Sequence, residues 1–259
     1  MDEIIKKNNT RAYILNYPID LVNMENAVDF IEDSIKSIKG GQVITINPEM
    51  IIQATRNPKL SRIIEQAELI IPDGTGIILA LKKLGIKDIS QIPGIEFSEA
   101  LIQRCVQKNY AIGFLGASKD IIENVIKEFK IKYQSINIVF MHDGYFDEEE
   151  ELRIIDELKI SKPQVLFVAL GVPKQELWIA KHKQMLSSII MIGVGGSFDI
   201  WAKKIKRAPE FFRKFGLEWL FRLISQPSRF KRMFPSLPLF FIKIMFDNKS
   251  TSIKKRALK

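Results

Sequence analysis

Short apolar runs rich in β-branched residues alternate with longer amphipathic runs over roughly the first 200 residues. The apolar runs at 12–15, 42–46, 69–71, 110–115, 137–141, 165–170 and 189–194 predict strands. Helical periodicity fills 24–38, 48–55, 58–66, 76–84, 96–107, 119–133, 148–159 and 174–185. Strand, helix and strand joined by short connections predict βαβ units and a Rossmann-like α/β fold with a largely parallel sheet. Several of the strands are apolar at nearly every position, which calls for helices on both faces of that sheet. Beyond Pro209 a new helical pattern runs over 210–224, and Pro227, Pro235 and Pro238 then predict short, interrupted helices.

Nearly every predicted strand ends in Gly, Asn, Asp or Thr. The ends read Thr45-Ile46-Asn47-Pro48, Pro72-Asp73-Gly74-Thr75-Gly76, Gly113-Phe114-Leu115-Gly116, His142-Asp143-Gly144, Gly171-Val172-Pro173 and Gly193-Val194-Gly195-Gly196. Ligands of open parallel sheets sit beyond the carboxyl ends of the strands. Small residues there let backbone approach a ligand, and helix N-termini offer unpaired N–H groups to phosphate. Any single one of these turns is explained by tight-turn geometry. Together they predict a cleft sized for a nucleotide or sugar.

Charge divides the chain in two. From Lys203 onward there are 16 basic and three acidic residues, leaving 23 basic and 27 acidic residues on 1–202. The net charge of +9 is thus a mildly acidic body followed by a strongly basic tail, which argues against a general nucleic-acid coat. We expect a catalytic core over 1–202 and an appendage over 203–259. The tail holds ten of the 25 aromatic residues between Phe211 and Phe246, interleaved with Lys and Arg. Aromatic and basic residues on short helices suit an anionic membrane surface. A helical layer packed on the core, with solvated charges, is the plainer alternative. A nucleic-acid-binding tail is a third, without an RNA-binding motif to support it. The polar N-terminus predicts no secretory signal, and no apolar run is long enough to span a bilayer. The single cysteine, Cys105, reads as a buried thiol in a reducing compartment. A cytoplasmic protein, peripheral on the inner face of the membrane, is the expected setting. Oligomeric state is left open, a homo-oligomer included.

The candidate chemistry lies at the strand ends. Asp73 reads either as a helix cap or as a general base with room for substrate beside its glycine neighbours, Gly74 among them. Thr45 and Asn47 end another strand, as turn polarity or as partners for sugar hydroxyls or an acetamido group. Gly171 precedes Pro173, Lys174, Gln175 and Glu176 at a helix start, a pattern that helix capping explains and that ligand contact would also explain. Asp199, after Gly195, is a cap or an acceptor for sugar hydroxyls. There is no Asp-x-Asp, no Walker loop and no Gly-x-Gly-x-x-Gly after the first strand, so no metal clamp, ATPase or NAD site is expected. His142 and His182 form no spaced metal set. A diphosphate would need cations, for which Arg222, Arg229 and Arg232 are candidates.

These motifs resemble the WecG/TagA/CpsF glycosyltransferases, and within that family the TagA-type N-acetylmannosaminyltransferases of wall teichoic acid synthesis. The resemblance runs from about Asn16 to Arg232. It adds Tyr145-Phe146, Ser197-Phe198-Asp199, Arg207-Ala208-Pro209, Glu218-Trp219-Leu220-Phe221-Arg222 and Pro227-Ser228-Arg229-Phe230-Lys231-Arg232 to the motifs above. One departure is Gln91 in Gln91-Ile92-Pro93-Gly94, where family members often carry Arg. The resemblance implies metal-independent, inverting transfer of N-acetylmannosamine from UDP-N-acetylmannosamine to undecaprenyl-diphosphate-linked N-acetylglucosamine, giving a β-1,4 linkage, with no cofactor. It implies Asp73 as the base, Thr45 as an orienting neighbour, and Arg222, Arg229 and Arg232 over the diphosphate. From the strand ends themselves, Asn47, Gly74, Gly113, Gly116, Gly171, Gln175, Glu176, Gly195 and Asp199 are the expected contacts to substrate. A related donor, UDP-N-acetylmannosaminuronic acid or UDP-glucose, and a non-catalytic membrane-interaction protein are the rivals.

Overall fold

The computed structural model describes residues 10–214, 220–221, 224, 230–246 and 252–255. Its elements in chain order are β1 (Thr10–Ile14), β2 (Tyr17–Asp20), α1 (Met24–Lys36), β3 (Gly41–Ile46), α2 (Pro48–Ala54), α3 (Pro58–Gln66), β4 (Leu69–Pro72) and α4 (Thr75–Lys83). There follow α5 (Gly94–Lys108), β5 (Ile112–Gly116), α6 (Lys119–Lys132), β6 (Ile138–His142), α7 (Glu148–Ser161), β7 (Val165–Ala169), α8 (Lys174–His182) and β8 (Ile190–Gly193). The last are α9 (Ser197–Trp201), α10 (Glu210–Lys214), α11 (Phe230–Phe246) and β9 (Ser252–Lys255). Six strands form a sheet in the order β4-β3-β8-β7-β5-β6. The pairs β3/β8, β7/β8, β5/β7 and β5/β6 are all parallel. The Rossmann-like α/β architecture expected from the apolar pattern is therefore present.

One strand belongs elsewhere. The run at 12–15 forms β1 of a separate antiparallel sheet, ordered β2-β1-β9. It turns back through Leu15 (φ 51°) and Asn16 (φ 68°), and Ile14 pairs with Tyr17. A type I′ two-residue hairpin turn needs positive φ at both positions, usually supplied by Asn-Gly. A Leu-Asn turn hides that signal. The tail also differs from expectation, because α11 continues through Pro235 and Pro238.

The described chain divides into two compact units, one of residues 1–26, 45–93 and 207–259 and the other of 27–44 and 94–206. In the second unit, side chains from the central strands alternate between two cores, as the two-residue strand period requires. Leu115, Leu166, Val168 and Met191 pack with Ile154, Ile155 and Leu158 of α7 and Trp178 and Ile179 of α8. Phe114 and Phe167, one register step away, stack at 5.5 Å and meet Phe129 of α6 and Phe198 and Trp201 of α9. Cys105 is buried on α5, and burial pushes its thiol up to about 12, as expected for an inert thiol.

In the first unit a buried ion pair ties the hairpin to β4. Arg11 Nε donates to Asp20 Oδ1 at 2.7 Å, and its guanidinium also reaches Asp20 Oδ2 at 3.1 Å and the Ala67 carbonyl at 3.0 Å. Asp20 Oδ2 accepts from the Ile70 backbone N–H at 2.8 Å.

A second ionic cluster joins α1 to α5. Glu32 is buried, accepts from Lys36 at 2.7 Å and pairs with Arg104, which also donates to Asp29 at 3.0 Å. Lys36 first and Arg104 second hold the Glu32 carboxyl down to about 2, against the desolvation that opposes them. A folded value below the unfolded one means the stabilisation is present above the ordinary carboxylate range and is lost as pH falls through about 2. Glu32→Gln should therefore lower the thermal midpoint at pH 7. The gap from the wild type should shrink as pH falls from about 4.5 toward 2, read by circular-dichroism melts.

Candidate functional site

Two adjoining strand ends gather the polar candidates of the first unit. Thr45 lies in β3 and is half-buried, and Asn47 follows it. The Asp73 N–H donates to the Ile46 carbonyl at 2.8 Å, setting Asp73 beside the residue that Thr45 and Asn47 flank. Gly74 has φ 91° and ψ 144° at the start of α4, a backbone conformation that favours glycine. A Cβ there would stand 3.6 Å from Pro48 and 3.9 Å from Asn47, so the two turns abut. Asp73 is half-buried. It precedes α4, and the cap position itself falls to Gly74 without a side-chain bond.

Asn47 has a structural task in full view. It is the N-cap of α2, and its Oδ1 accepts from the Met50 N–H at 2.9 Å. Pro48 at the first helical position is pre-set for a helix start. Gln91, the departure from the family pattern, lies beside the Asp73 turn. Its Oε1 accepts from Thr75 Oγ1 at 3.4 Å, and the Ile92 N–H donates to the Pro72 carbonyl at 3.0 Å. Composition alone did not single out Thr75; its place after Asp73-Gly74 was the available signal.

Helix α11 covers part of the same unit. Ser236, Phe240 and Ile244, four residues apart, form its buried stripe, while Phe241, Ile242, Met245 and Phe246 stay exposed. It packs on α2. A Cβ on Gly76 would lie 2.6 Å from Pro48 and 3.6 Å from both Phe240 and Phe241, so glycine is what lets α4 approach these groups. Lys83 Nζ donates to the Ile244 carbonyl at 2.7 Å, a cation at the negative end of the helix. Arg222 and Arg229 lie outside the described residues. Arg232 falls within α11, with its side chain outside the described part.

The glycines of the second unit divide into two kinds. Gly113 and Gly116 are buried in β5. A Cβ on Gly113 would meet Leu166 at 2.9 Å, and one on Gly116 (φ 127°) the Ala169 carbonyl oxygen at 2.5 Å. Both positions are explained by close packing on β7. Gly171 (φ 78°) and Gly195 (φ 51°) have nothing within 4 Å of a built Cβ. They follow β7 and β8, which are sheet neighbours. These two turns leave open space at the carboxyl ends of the strands. Asp199 is half-buried in α9, and its carbonyl accepts from the Lys204 and Ile205 N–H groups.

Gln175 and Glu176 are buried. Gln175 Nε2 donates to Glu176 Oε1 at 2.8 Å, and Gln175 Oε1 accepts from the Gly195 N–H at 3.0 Å. Gln42, the one amide side chain of β3, donates to the Glu176 backbone carbonyl at 3.2 Å. Burial pushes the Glu176 carboxyl up to about 7, with the Gln175 amide acting the other way. The two side chains read as ligand contacts in the sequence thus build the floor of the Gly195 turn. Among the described residues, no three His, Cys, Asp or Glu side chains are grouped to hold a metal ion. No described helix is long and apolar enough to cross a membrane.

Comparison with known proteins gives the chain a family. The profile of the glycosyl transferase WecG/TagA/CpsF family matches residues 12–254. The chain is 32% identical over 239 residues to an N-acetylglucosaminyldiphosphoundecaprenol N-acetyl-beta-D-mannosaminyltransferase of Bacillus spizizenii, covering 88% of this chain and 92% of that protein. It is 33% identical over 241 residues to the protein of the same name from Staphylococcus aureus strain MW2, covering 92% and 94%.

The cap bond of Asn47 generates a stability expectation. Asn47→Ala should cost about 1 kcal/mol of unfolding free energy in urea melts. Asn47→Asp keeps the accepting oxygen and should stay near the wild type. A turnover loss in Asn47→Asp without a stability loss would assign the amide NH2 end to substrate.

Proposed function

The chain belongs to the glycosyl transferase WecG/TagA/CpsF family, and from that premise we propose that it moves N-acetylmannosamine from UDP-N-acetylmannosamine onto undecaprenyl-diphosphate-linked N-acetylglucosamine. The names of the Bacillus and Staphylococcus relatives support the sugar and the acceptor. The observation that carries the chemistry is the 2.8 Å bond from the Asp73 N–H to the Ile46 carbonyl. It brings the Asp73 backbone beside Ile46, which Thr45 and Asn47 flank, where two strands end, and this supports reading the three as one site.

In the proposed reaction Asp73 takes the proton of the acceptor 4-hydroxyl. The oxygen attacks the anomeric carbon in line, the bond from that carbon to the diphosphate oxygen breaks, and UDP departs. One displacement inverts the centre and yields a β-1,4 linkage, a step of wall teichoic acid linkage-unit synthesis. Thr45 orients substrate. Arg222, Arg229 and Arg232 neutralise the leaving diphosphate, the work a metal does in enzymes with an Asp-x-Asp clamp. Substrate contacts are assigned to Asn47, Gly74, Gly171, Gly195 and Asp199. Gly113, Gly116, Gln175 and Glu176 act from beneath, by shaping the strand ends. Residues 203–259 form a membrane-associating appendage on the 1–202 core, supported by the tail's basic residues and by the exposed Phe241, Ile242, Met245 and Phe246. The setting is the inner face of the cell membrane.

Three measurements test this reading. Asp73→Asn should lower transfer roughly 10²–10⁴-fold, the scale of a lost general base, with an unchanged melting curve. Retention of most activity would remove Asp73 as the base. Radiolabelled transfer to a short-chain lipid-linked acceptor should survive EDTA, and strong inhibition would call for a metal. Arg222→Ala, Arg229→Ala and Arg232→Ala should each reduce kcat more than vesicle binding. Loss of vesicle binding alone would reassign them to the membrane.

A further inference from the structure

Glu176 is a buried carboxyl that takes no part in the chemistry above. It is 3% exposed and Gln175 is 2% exposed. Glu176 Oε1 holds the Gln175 amide, while Glu176 Oε2 is buried without a hydrogen-bond partner among the described residues. Gly193 of β8 lies against the carboxyl, Gly195 is reached through Gln175, and Gln42 of β3 binds the backbone carbonyl of Glu176 rather than its side chain. Among these described neighbours none is titratable. Space is tight, since a Cβ on Gly193 would lie 2.4 Å from Gln175 Nε2 and 3.0 Å from Glu176 Oε1.

The chain of bonds has a direction. A glutamine amide donates at one end and accepts at the other. Glu176 Oε1 accepts, so the Nε2 end must face it and the Oε1 end must face the Gly195 N–H. Turning the amide over would set oxygen against oxygen and N–H against N–H. Ionised Glu176 grips the NH2 end with a charge-assisted bond, about twice as strong as a neutral one. Protonated Glu176 grips it weakly. Gly195, at positive φ with open space where a Cβ would stand, is held by the Gln175 amide through its N–H.

We propose that Glu176 is a positioning residue, which through the Gln175 amide sets the direction of the Gly195 N–H at the carboxyl end of β8 and loosens that turn when it takes up a proton. Burial places the titration at about 7. The two consequences of ionisation oppose each other. A folded value above the ordinary one means the carboxyl's contribution to stability is present at low pH and is lost as pH rises through about 7. The same rise tightens the grip on the turn. The consequence for turnover rests on the glycosyl-transfer reading; the linkage of Glu176 to Gly195 does not.

The sequence offers a direct probe. Val194-Gly195 is the only Val-Gly step in the chain, so carbonyl-¹³C valine with ¹⁵N glycine isolates one amide signal in the full-length protein. That signal should titrate with a midpoint near 7 in the wild type and stay flat in Glu176→Gln. Gln175→Met cuts the relay and leaves the carboxyl, and should also be flat if Glu176→Gln does not fold. A flat wild-type signal, or a titration that persists in either variant, overturns the proposal. In the transfer assay the rise of kcat/KM through about pH 7 should vanish in Glu176→Gln, and an unchanged profile in that variant overturns it as well. A Gly195 titration behaving as expected, with no transfer from any UDP-sugar, would uphold the relay and defeat the glycosyl-transfer reading.

Discussion

The buried pair of Arg11 and Asp20 is the constraint on which the Asp73 turn depends. Asp20 accepts from Arg11 and from the Ile70 N–H, so one carboxylate binds both strands of the hairpin and the backbone of β4. β4 is the edge of the six-stranded sheet, where unpaired backbone is a liability. Three residues after Ile70 the chain reaches Asp73. Removing one partner of such a pair typically costs 3–5 kcal/mol, because the other charge stays buried and uncompensated. The position of the proposed base is therefore set by an ion pair at a distance from the reaction, and by the Asp73-to-Ile46 bond at its doorstep.

Much of the fold was legible because the chain repeats one physical unit. Apolar strands buried on both faces and amphipathic helices between them need no special chemistry, and α3 was read to the residue at 58–66. What escaped was local backbone conformation and tertiary override. The β1–β2 hairpin turns through Leu15 and Asn16 without the usual glycine. α11 keeps its helical path despite Pro235 and Pro238, with Phe240 and Ile244 buried beneath it. Proline removes a donor and clashes with the preceding turn, yet packing on α2 outweighs that local preference.

The site was legible in a similar, partial way. The alignment of Thr45, Asn47 and Asp73 followed from adjacent strand ends, and the structure draws those turns together. A residue list could not distinguish kinds of glycine. Gly113 and Gly116 make room for β7, whereas Gly171 and Gly195 face open space. Nor could it foresee that Gln175 and Glu176 point inward. The sequence signal was present in Gln42, the one amide in a mostly apolar strand, whose partner only the fold reveals.

The last strand alters what kind of object the C-terminal region is. β9 lies antiparallel on β1, pairing Ser252 with Tyr13 and Lys255 with Thr10. Only residues 247–251 connect it to α11. Even drawn out fully, a link of that length reaches about 20 Å. α11 is thus a strap buckled near the N-terminus. The C-terminal end of α11 therefore stays within that reach of β1 for as long as the four residues of β9 are paired.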